Sequence, residues 1–209
     1  MRRQRSRRVN FADEAASSLP RLSGAMVTLP DVLTHYYHEV PFRSLTEVAE
    51  GARSDILDRI RATRKLPRRL CSAFYFEQRL AYERMMREQF VAKGGQPERT
   101  TPLYAILGES EIWARIYRNA VRARVAHLPP ESVSFTYTDS FAAYVDRDLD
   151  GNEIPRKPQY GMVYRLEELP DLIHSCGWPG DRWKTEENWA HDLYVEAQIW
   201  SDSAVGLFT

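Results

Sequence analysis

The sequence predicts an α+β fold: a single domain over residues 25–209 with a mixed or antiparallel sheet and flanking helices. Segments rich in β-branched and aromatic residues, which favour strands, lie between segments with helical spacing of apolar residues. No internal repeat and no clear linker divides them. A chain of 209 residues with 43% hydrophobic and 28% charged residues is typical of a soluble globular protein. We therefore expect one core.

Composition excludes few classes of partner. Lys+Arg and Asp+Glu balance at 29 each, so the net charge favours neither nucleic acid nor an acidic surface. Cys71 and Cys176 form no CxxC pair, which predicts reduced thiols and a cytoplasmic setting. No apolar run approaches the roughly 18 residues of a membrane span, so we expect no membrane association. Residues 1–24 carry five early arginines and are predicted to be a disordered tail, with a nucleic-acid-tethering arm as the alternative.

The most informative stretch runs from Leu33 to Glu47. Thr34–Tyr37 suits a strand that ends before Pro41, which has no backbone donor. Ser44 and Glu47 have the spacing of a capping box, so the first helix is predicted over residues 44–62. A strand carrying His35 would then end beside the positive end of a helix, where an anionic ligand is favoured.

The longest helix is predicted over residues 72–92, with Gly94-Gly95 as its stop. On it, Arg79 and Glu83 are either a surface ion pair of little energetic weight or groups that face a cleft. The basic segment 61–69 is either a solvated loop or a phosphate-binding patch.

Further elements are predicted from spacing alone: strands at 104–108, 133–141, 160–164 and 193–200, and helices at 109–124 and 166–176. The strand at 133–141 alternates apolar residues with Ser134, Thr136 and Thr138. Its polar side is either half solvated or the wall of a pocket lined by hydroxyl groups. The last strand carries Glu196 and Gln198 on one side, and Glu196 is either a functional carboxylate or an exposed strand residue.

Well-marked catalytic motifs do not occur. The chain has no P-loop, GxGxxG, HExxH or GxSxG, and its histidines and cysteines lack metal-ligand spacing, so no metal site is predicted. The candidate pattern is distributed instead. It comprises a histidine on an early strand, a Ser/Thr strand in the middle and a Glu-x-Gln on a late strand.

That order resembles the ADP-ribosyltransferase fold. Thr34-His35-Tyr36 and the following helix look like the family's first motif, and the segment from Ser134 to Ser140 looks like a middle motif. Glu196-Ala197-Gln198 is similar to the late acidic element, although Gln stands where the family usually has Glu. The chain also resembles bacterial proteins of unknown activity that share THYY, PFRSL, KGG and SFTY segments.

The resemblance implies NAD as the substrate and substitution at its ribose anomeric carbon, as an ADP-ribosyltransferase or an NAD glycohydrolase with a toxin-like or defence role. Glu196 would stabilise the oxocarbenium-like transition state, with Gln198 beside it as the second catalytic position. His35 would bind the adenosine ribose, and Arg43 or Arg79 the pyrophosphate. The full set of implied cofactor-binding residues is His35, Tyr36, Arg43, Arg79, Tyr82, Ser134 and Thr136. The target would be a protein or a nucleic acid, and the oligomeric state is open.

Two other classes fit the same sequence. Five Trp, eleven Tyr and eight Phe suit a non-catalytic interaction domain, in which His35, Tyr36 and Trp200 are packing residues. A nucleic-acid-binding module would use segment 61–69 and the tail, and its affinity would fall steeply with salt. Convergence of His35, Ser134, Thr136 and Glu196 on one concave pocket would favour the enzyme, whereas their placement on separate surfaces would argue against a transferase.

Overall fold

The computed structural model describes residues 27–64, 73–144, 153, 155–179 and 192–209. Within these ranges no helix combines the length and the apolar character needed to cross a membrane. The predicted tail at 1–24 lies outside the described residues, as do residues 65–69 of the basic segment.

Helices and strands follow one another along the chain without long unstructured connections in the described ranges. The strands are β1 Val32–Tyr37, β2 Leu103–Leu107, β3 Asn119–Arg124, β4 Val133–Thr136 and β5 Glu196–Ile199. The helices are α1 Glu50–Arg64, α2 Ala73–Ala92, α3 Glu111–Ile116, α4 Ser140–Tyr144, α5 Leu169–Cys176 and α6 Asp202–Val205. The helix predicted at 72–92 is therefore confirmed.

The five described strands form one sheet in the order β3-β1-β2-β5-β4, and every neighbouring pair is antiparallel. This confirms the predicted α+β fold with an antiparallel sheet. Strands β2 and β5 lie at the centre, where backbone groups on both sides are hydrogen-bonded. The start of β5 lies against the end of β2, with Glu196 opposite Ile106.

One face of the sheet is apolar and carries the main core. Alternation directs Leu33, Ala105, Phe135 and Ala197 to this face, and all four are buried. Helix α5 packs against it through Leu169, Leu172 and Ile173. Gly177 ends α5 with a φ of 82°, and its amide donates to the carbonyl of Ile173 at 2.8 Å.

The opposite face, which we call the polar face, is buried under α2. Its members are Thr34, Tyr104, Ser134, Thr136, Glu196 and Gln198, each buried or engaged with α2. The hydroxyl of Tyr104 donates to Glu83 of α2 at 2.8 Å. A second apolar cluster, formed by Met86, Phe90, Val163 and Trp200, closes one end of this layer.

Two predicted helices differ from the structure. A 3₁₀ turn at Leu45–Glu47 stands where the first helix was expected, and α1 begins only at Glu50. The Ser44 hydroxyl caps this turn by accepting from the amide of Thr46 at 3.3 Å, while Glu47 pairs with Arg99. The helix predicted at 109–124 is wrong in its second half, because Asn119–Arg124 pairs with β1 as an edge strand.

Three predicted strands also differ from the structure, the last of them because β5 covers only Glu196–Ile199 of the range 193–200. β4 ends at Thr136, and α4 begins at Ser140, within the range predicted as one strand. Residues 160–164 form a turn and contribute a single bridge between Tyr164 and Phe135. The half-solvated polar side proposed for β4 is wrong, because Ser134, Thr136 and Thr138 are all buried.

Candidate active site

Glu196 lies at the start of central strand β5, on the polar face. Its cross-strand neighbours are Ile106 on β2 and Thr136 on β4. The residue is only 5% exposed, so its carboxyl group has left water almost completely. The alternative of an exposed strand carboxylate is therefore wrong.

A directed chain of hydrogen bonds leads to this carboxyl group. The Trp200 indole donates to Ser134 Oγ at 2.8 Å, and Ser134 donates to Gln198 Oε1 at 2.9 Å. The Gln198 amide donates to Thr136 Oγ1 at 3.0 Å and to Glu196 Oε2 at 3.3 Å. Because the Thr136 hydroxyl donates to the Thr138 carbonyl at 2.8 Å, it accepts from the Gln198 amide, which leaves Gln198 Oε1 to accept from Ser134. Ser134, Thr136 and Gln198 thus hold Glu196 in place.

Glu196 also accepts the backbone amide of Ser140 at 3.0 Å. Burial raises the pKa of Glu196 to about 7, with the negative charge of Asp139 adding to the shift. The charge of Arg79 and the Ser140 hydrogen bonds act in the opposite direction. Near neutral pH this carboxyl group is therefore poised between its protonated and ionised forms.

Helix α2 brings a second carboxyl group and a cation to the polar face. Glu83, which is 1% exposed, accepts from the Tyr104 hydroxyl, and Arg79 Nε lies 3.4 Å from Glu83 Oε1. The Arg79 guanidinium also lies over the Tyr104 ring, 4.3 Å from its centroid. Burial raises the pKa of Glu83, and the charge of Arg79 limits the shift. Arg79 and Glu83 therefore face the interior rather than forming a solvated surface pair.

Asp139 supplies the third carboxyl group, in the turn between β4 and α4. Its Oδ2 accepts from the Tyr194 hydroxyl at 2.7 Å, and its Oδ1 accepts from the Phe141 amide at 2.8 Å. Burial and the charge of Asp139 raise the pKa of Tyr194 well above its usual value, so Tyr194 stays a donor. We call Arg79, Glu83, Asp139 and Glu196 the carboxylate cluster.

Two hydroxyl groups on this side of the sheet lack a hydrogen bond of normal geometry among the described residues. Thr34 Oγ1 and Ser140 Oγ are both fully buried. Buried polar groups in proteins are nearly always satisfied, and exceptions concentrate at functional sites. Ser140 lies next to Glu196, to which its backbone amide donates, whereas Thr34 lies on β1, with β2 between it and Glu196.

Aromatic rings border the cluster. Tyr82 of α2 stacks on Tyr144 with ring centroids 5.0 Å apart, and it meets Phe141 edge-on at 6.2 Å. All three residues are partly exposed, so they separate the buried cluster from solvent. Tyr82 thus lies on the same side of the sheet as Glu196, as a rim residue.

His35 does not join this group. Strand alternation directs it to the apolar face with Leu33, while Thr34 points to the polar face. Its Nδ1 donates to the Tyr104 carbonyl at 2.7 Å, and its Nε2 accepts from the Phe42 amide at 2.9 Å. Burial lowers the pKa of His35, which keeps the ring neutral. His35 and Glu196 therefore lie on opposite faces of the sheet, so the expected convergence of His35 with Ser134, Thr136 and Glu196 on one pocket is wrong.

The remaining expected cofactor contacts, Tyr36 and Arg43, have other surroundings. Tyr36 points to the same face as Thr34, and its hydroxyl accepts from the Ser110 amide at 3.0 Å. Arg43 is exposed and follows Phe42, which has a φ of 55°. Of the expected set, the structure groups Arg79, Tyr82, Ser134, Thr136, Glu196 and Gln198 on one face.

The sequence did not predict Asp139, Tyr104 or Tyr194 as site residues, and it left open whether Glu83 faces a cleft. The Arg79–Glu83 spacing of four residues was a usable signal for Glu83. Asp139 carried a weaker one, since it follows a polar strand at a turn. Tyr104 and Tyr194 had none, because only the pairing of β2, β4 and β5 brings their hydroxyl groups to this place.

Glu83 and Glu196 lie near the charge of Arg79, and Asp139 lies near Glu196, so acidic groups outnumber the cation in this cluster. Such a site suits a positively charged or developing cationic centre, with Arg79 available for one anionic group. Among the described residues, no group of three or more His, Cys, Asp or Glu side chains is arranged to hold a metal ion.

No protein-family model, no curated protein and no solved structure matches the chain. A functional assignment therefore depends on the geometry of the carboxylate cluster itself.

Proposed function

We propose that this chain consumes NAD, as an ADP-ribosyltransferase or an NAD glycohydrolase, with Glu196 as the central catalytic group. The observation that carries the proposal is a buried carboxyl group held at the start of a central strand by the Ser140 amide and the Gln198 side chain. A fixed, desolvated carboxylate stabilises a developing positive charge far better than one in water does.

The atoms and electrons of this substitution balance within the two reactants. The bond between the ribose anomeric carbon and the nicotinamide nitrogen breaks, and its electron pair stays on nitrogen, so the pyridinium leaves as neutral nicotinamide. A lone pair of the acceptor forms the new bond to the anomeric carbon, and the acceptor loses a proton. Ionised Glu196 stabilises the oxocarbenium character that the ribose develops between these two events.

The neighbouring residues take different roles. Arg79 offers a planar fork to the pyrophosphate, although Glu83 and Tyr104 already engage it. Tyr82 offers an aromatic surface to the nicotinamide or adenine ring. Ser134, Thr136 and Gln198 act through Glu196 as positioning residues. We assign no cofactor contact to His35, since both ring nitrogens bind backbone groups.

The acceptor belongs to the same proposal. A protein or nucleic-acid target would receive the ADP-ribose, and water would receive it in a glycohydrolase. A toxin-like or defence role in the cytoplasm accords with consumption of NAD, and an added target would raise the rate in the transferase case.

Titration of the purified chain with NAD, following thermal shift and nicotinamide release together, tests the proposal. We expect a rise in melting temperature and release of nicotinamide. Glu196→Gln should abolish release with the fold intact, and Glu88→Gln on the exposed side of α2 should not. Release by Glu196→Gln at the parent's rate would remove Glu196 from the mechanism, and a parent that neither binds nor cleaves NAD would exclude the proposal.

A non-catalytic interaction domain is the second candidate. Met85 and Val91 on α2 are 44% and 47% exposed, which leaves apolar side chains available to a partner. The bound ring nitrogens of His35 and the burial of Trp200 also fit packing roles. Absence of NAD binding together with self-association or partner binding through α2 would favour this candidate.

A further inference from the structure

Asp139 differs from the other two carboxyl groups of the cluster in its access to solvent. Glu83 and Glu196 are 1% and 5% exposed, whereas Asp139 is only partly buried. A group that takes a proton from an incoming acceptor must be reachable by that acceptor. By this criterion, Asp139 is the carboxylate of the cluster best placed to meet an acceptor arriving from outside.

The described hydrogen bonds of Asp139 fix the orientation of its carboxyl group. Its Oδ2 accepts from the Tyr194 hydroxyl at 2.7 Å, and its Oδ1 accepts from the Phe141 amide at 2.8 Å. An ionised carboxylate only accepts hydrogen bonds, and each of its oxygens can accept more than one. These contacts therefore hold the carboxyl group in one orientation, as a general base requires.

The backbone connects Asp139 directly to Glu196. The residue after Asp139 is Ser140, whose amide donates to Glu196 Oε2 at 3.0 Å. The Ser140 hydroxyl is fully buried beside them without a hydrogen bond of normal geometry to any described residue. The turn thus sets one buried and one more accessible carboxyl group side by side.

We propose that Asp139 is the general base that activates the acceptor, and this inference rests on the function proposed above. As the acceptor oxygen or nitrogen bonds to the anomeric carbon, its proton passes to Asp139. The nicotinamide leaves with the electron pair of the broken bond. Glu196 keeps its separate role of stabilising the ribose, so the two carboxylates serve opposite ends of the same displacement.

An acceptor that has no proton to lose does not need a general base, and such an acceptor tests this assignment. Asp139→Ala should lower nicotinamide release with water or target as acceptor by about 100-fold to 10,000-fold, the usual contribution of a general base. Added azide ion carries no proton to be removed, so it should restore release and give azido-ADP-ribose as the product. Asp139→Asn, which is isosteric, should behave in the same way and serves if the alanine variant fails to fold.

Two control variants separate this inference from the proposed function. Glu196→Gln should stay inactive with azide, because the stabilisation of the ribose is lost whichever acceptor is used. Asp171→Asn, on the exposed side of helix α5 across the sheet, should match the parent. Thermal melts of all variants show that each is folded.

The outcomes are distinct. An active parent with a fully active Asp139→Asn variant would overturn the role of Asp139 alone, as would an inactive, folded variant that azide does not rescue. A parent that releases no nicotinamide would overturn the proposed function, and this inference with it.

Discussion

The burial of Glu196 makes its contribution to folding depend on pH. Its pKa is about 7 in the folded chain, against an ordinary value of 4.5 for this side chain. Between these values the folded chain keeps a proton that the unfolded chain has released, so the free energy of unfolding falls as pH rises. At about 1.4 kcal/mol per pKa unit, the loss attributable to Glu196 is on the order of 3 kcal/mol.

Glu196→Gln should remove this part of the pH dependence, because glutamine does not ionise. Urea unfolding of the parent and of Glu196→Gln at about pH 5 and about pH 8 measures how the free energy of unfolding depends on pH. Glu83, whose pKa is also raised by burial, contributes to both chains and cancels in the comparison. Exposed Glu111→Gln should leave the parent's dependence unchanged. Equal pH dependence in parent and Glu196→Gln would show that Glu196 titrates as a solvated group.

Residue types and strand alternation are sufficient to place part of the site. Glu196 and Gln198 share a face because they are two apart on a strand, and the same holds for Ser134 and Thr136. Burial of this face was not predictable from the strands alone, since it depends on α2 covering it. Because successive residues of a strand point to opposite faces, His35 does not lie on the face that Thr34 occupies.

At the scale of elements, the clearest sequence signal was the end of α2. The Gly95 amide donates to the Phe90 carbonyl at 2.9 Å, and a Cβ on Gly95 would lie 2.6 Å from the Phe90 ring. Phe90 is fully buried and stacks on Trp200, so its ring has little room to move. Glycine is therefore required here by close contact.

Gly95→Ala should lower the free energy of unfolding by about 1–3 kcal/mol, the usual cost of overpacking a core. Chemical denaturation measures the change. Gly51→Ala in the first turn of α1 is the matched control, because nothing lies within 4 Å of its Cβ position. We expect that variant to equal or exceed the parent, by up to about 1 kcal/mol. Equal stability of Gly95→Ala and the parent would mean that the helix end can shift to admit a methyl group.

The segment 109–124 shows why local spacing was insufficient for another element. Trp113, Ile116 and Tyr117 have helical spacing, and α3 does form over Glu111–Ile116. From Asn119 onward, the chain forms a strand rather than a helix, because its backbone pairs with all six residues of β1. Val121 and Ala123 alternate with Arg122 and Arg124, so a period of two was present in the sequence and was outweighed by the helical pattern.

At the scale of the whole molecule, the sheet separates an apolar core from a layer of buried polar groups. The apolar face follows from alternation and composition, and any strand pairing that keeps alternation would bury it. The polar face needs specific partners, because each buried donor or acceptor left unpaired costs about 1–3 kcal/mol. Those partners come from α2, β2, β4 and β5, which are distant in sequence. No single segment of sequence could therefore reveal the network.

The chain of hydrogen bonds from Trp200 to Glu196 should behave as one cooperative unit. Ser134 and Gln198 bond at 2.9 Å, and each also holds a further member of the chain. Ser134→Ala and Gln198→Leu should each cost about 1–3 kcal/mol by leaving buried partners unsatisfied. The double variant should cost less than the sum by about 0.5–3 kcal/mol, since the second change removes a group that the first has already orphaned.

A double-mutant cycle in urea measures this coupling. Ser175→Ala, on an exposed position of α5 beyond the apolar face, paired with Gln198→Leu is the control and should be additive within about 0.5 kcal/mol. Additivity of Ser134→Ala with Gln198→Leu would mean that these bonds form independently. Ser134 would then not influence the contact between Gln198 and Glu196, and Ser134→Ala should leave nicotinamide release unchanged. Coupling with loss of release would instead tie Glu196, the proposed catalytic group, to the same network that joins β4 and β5.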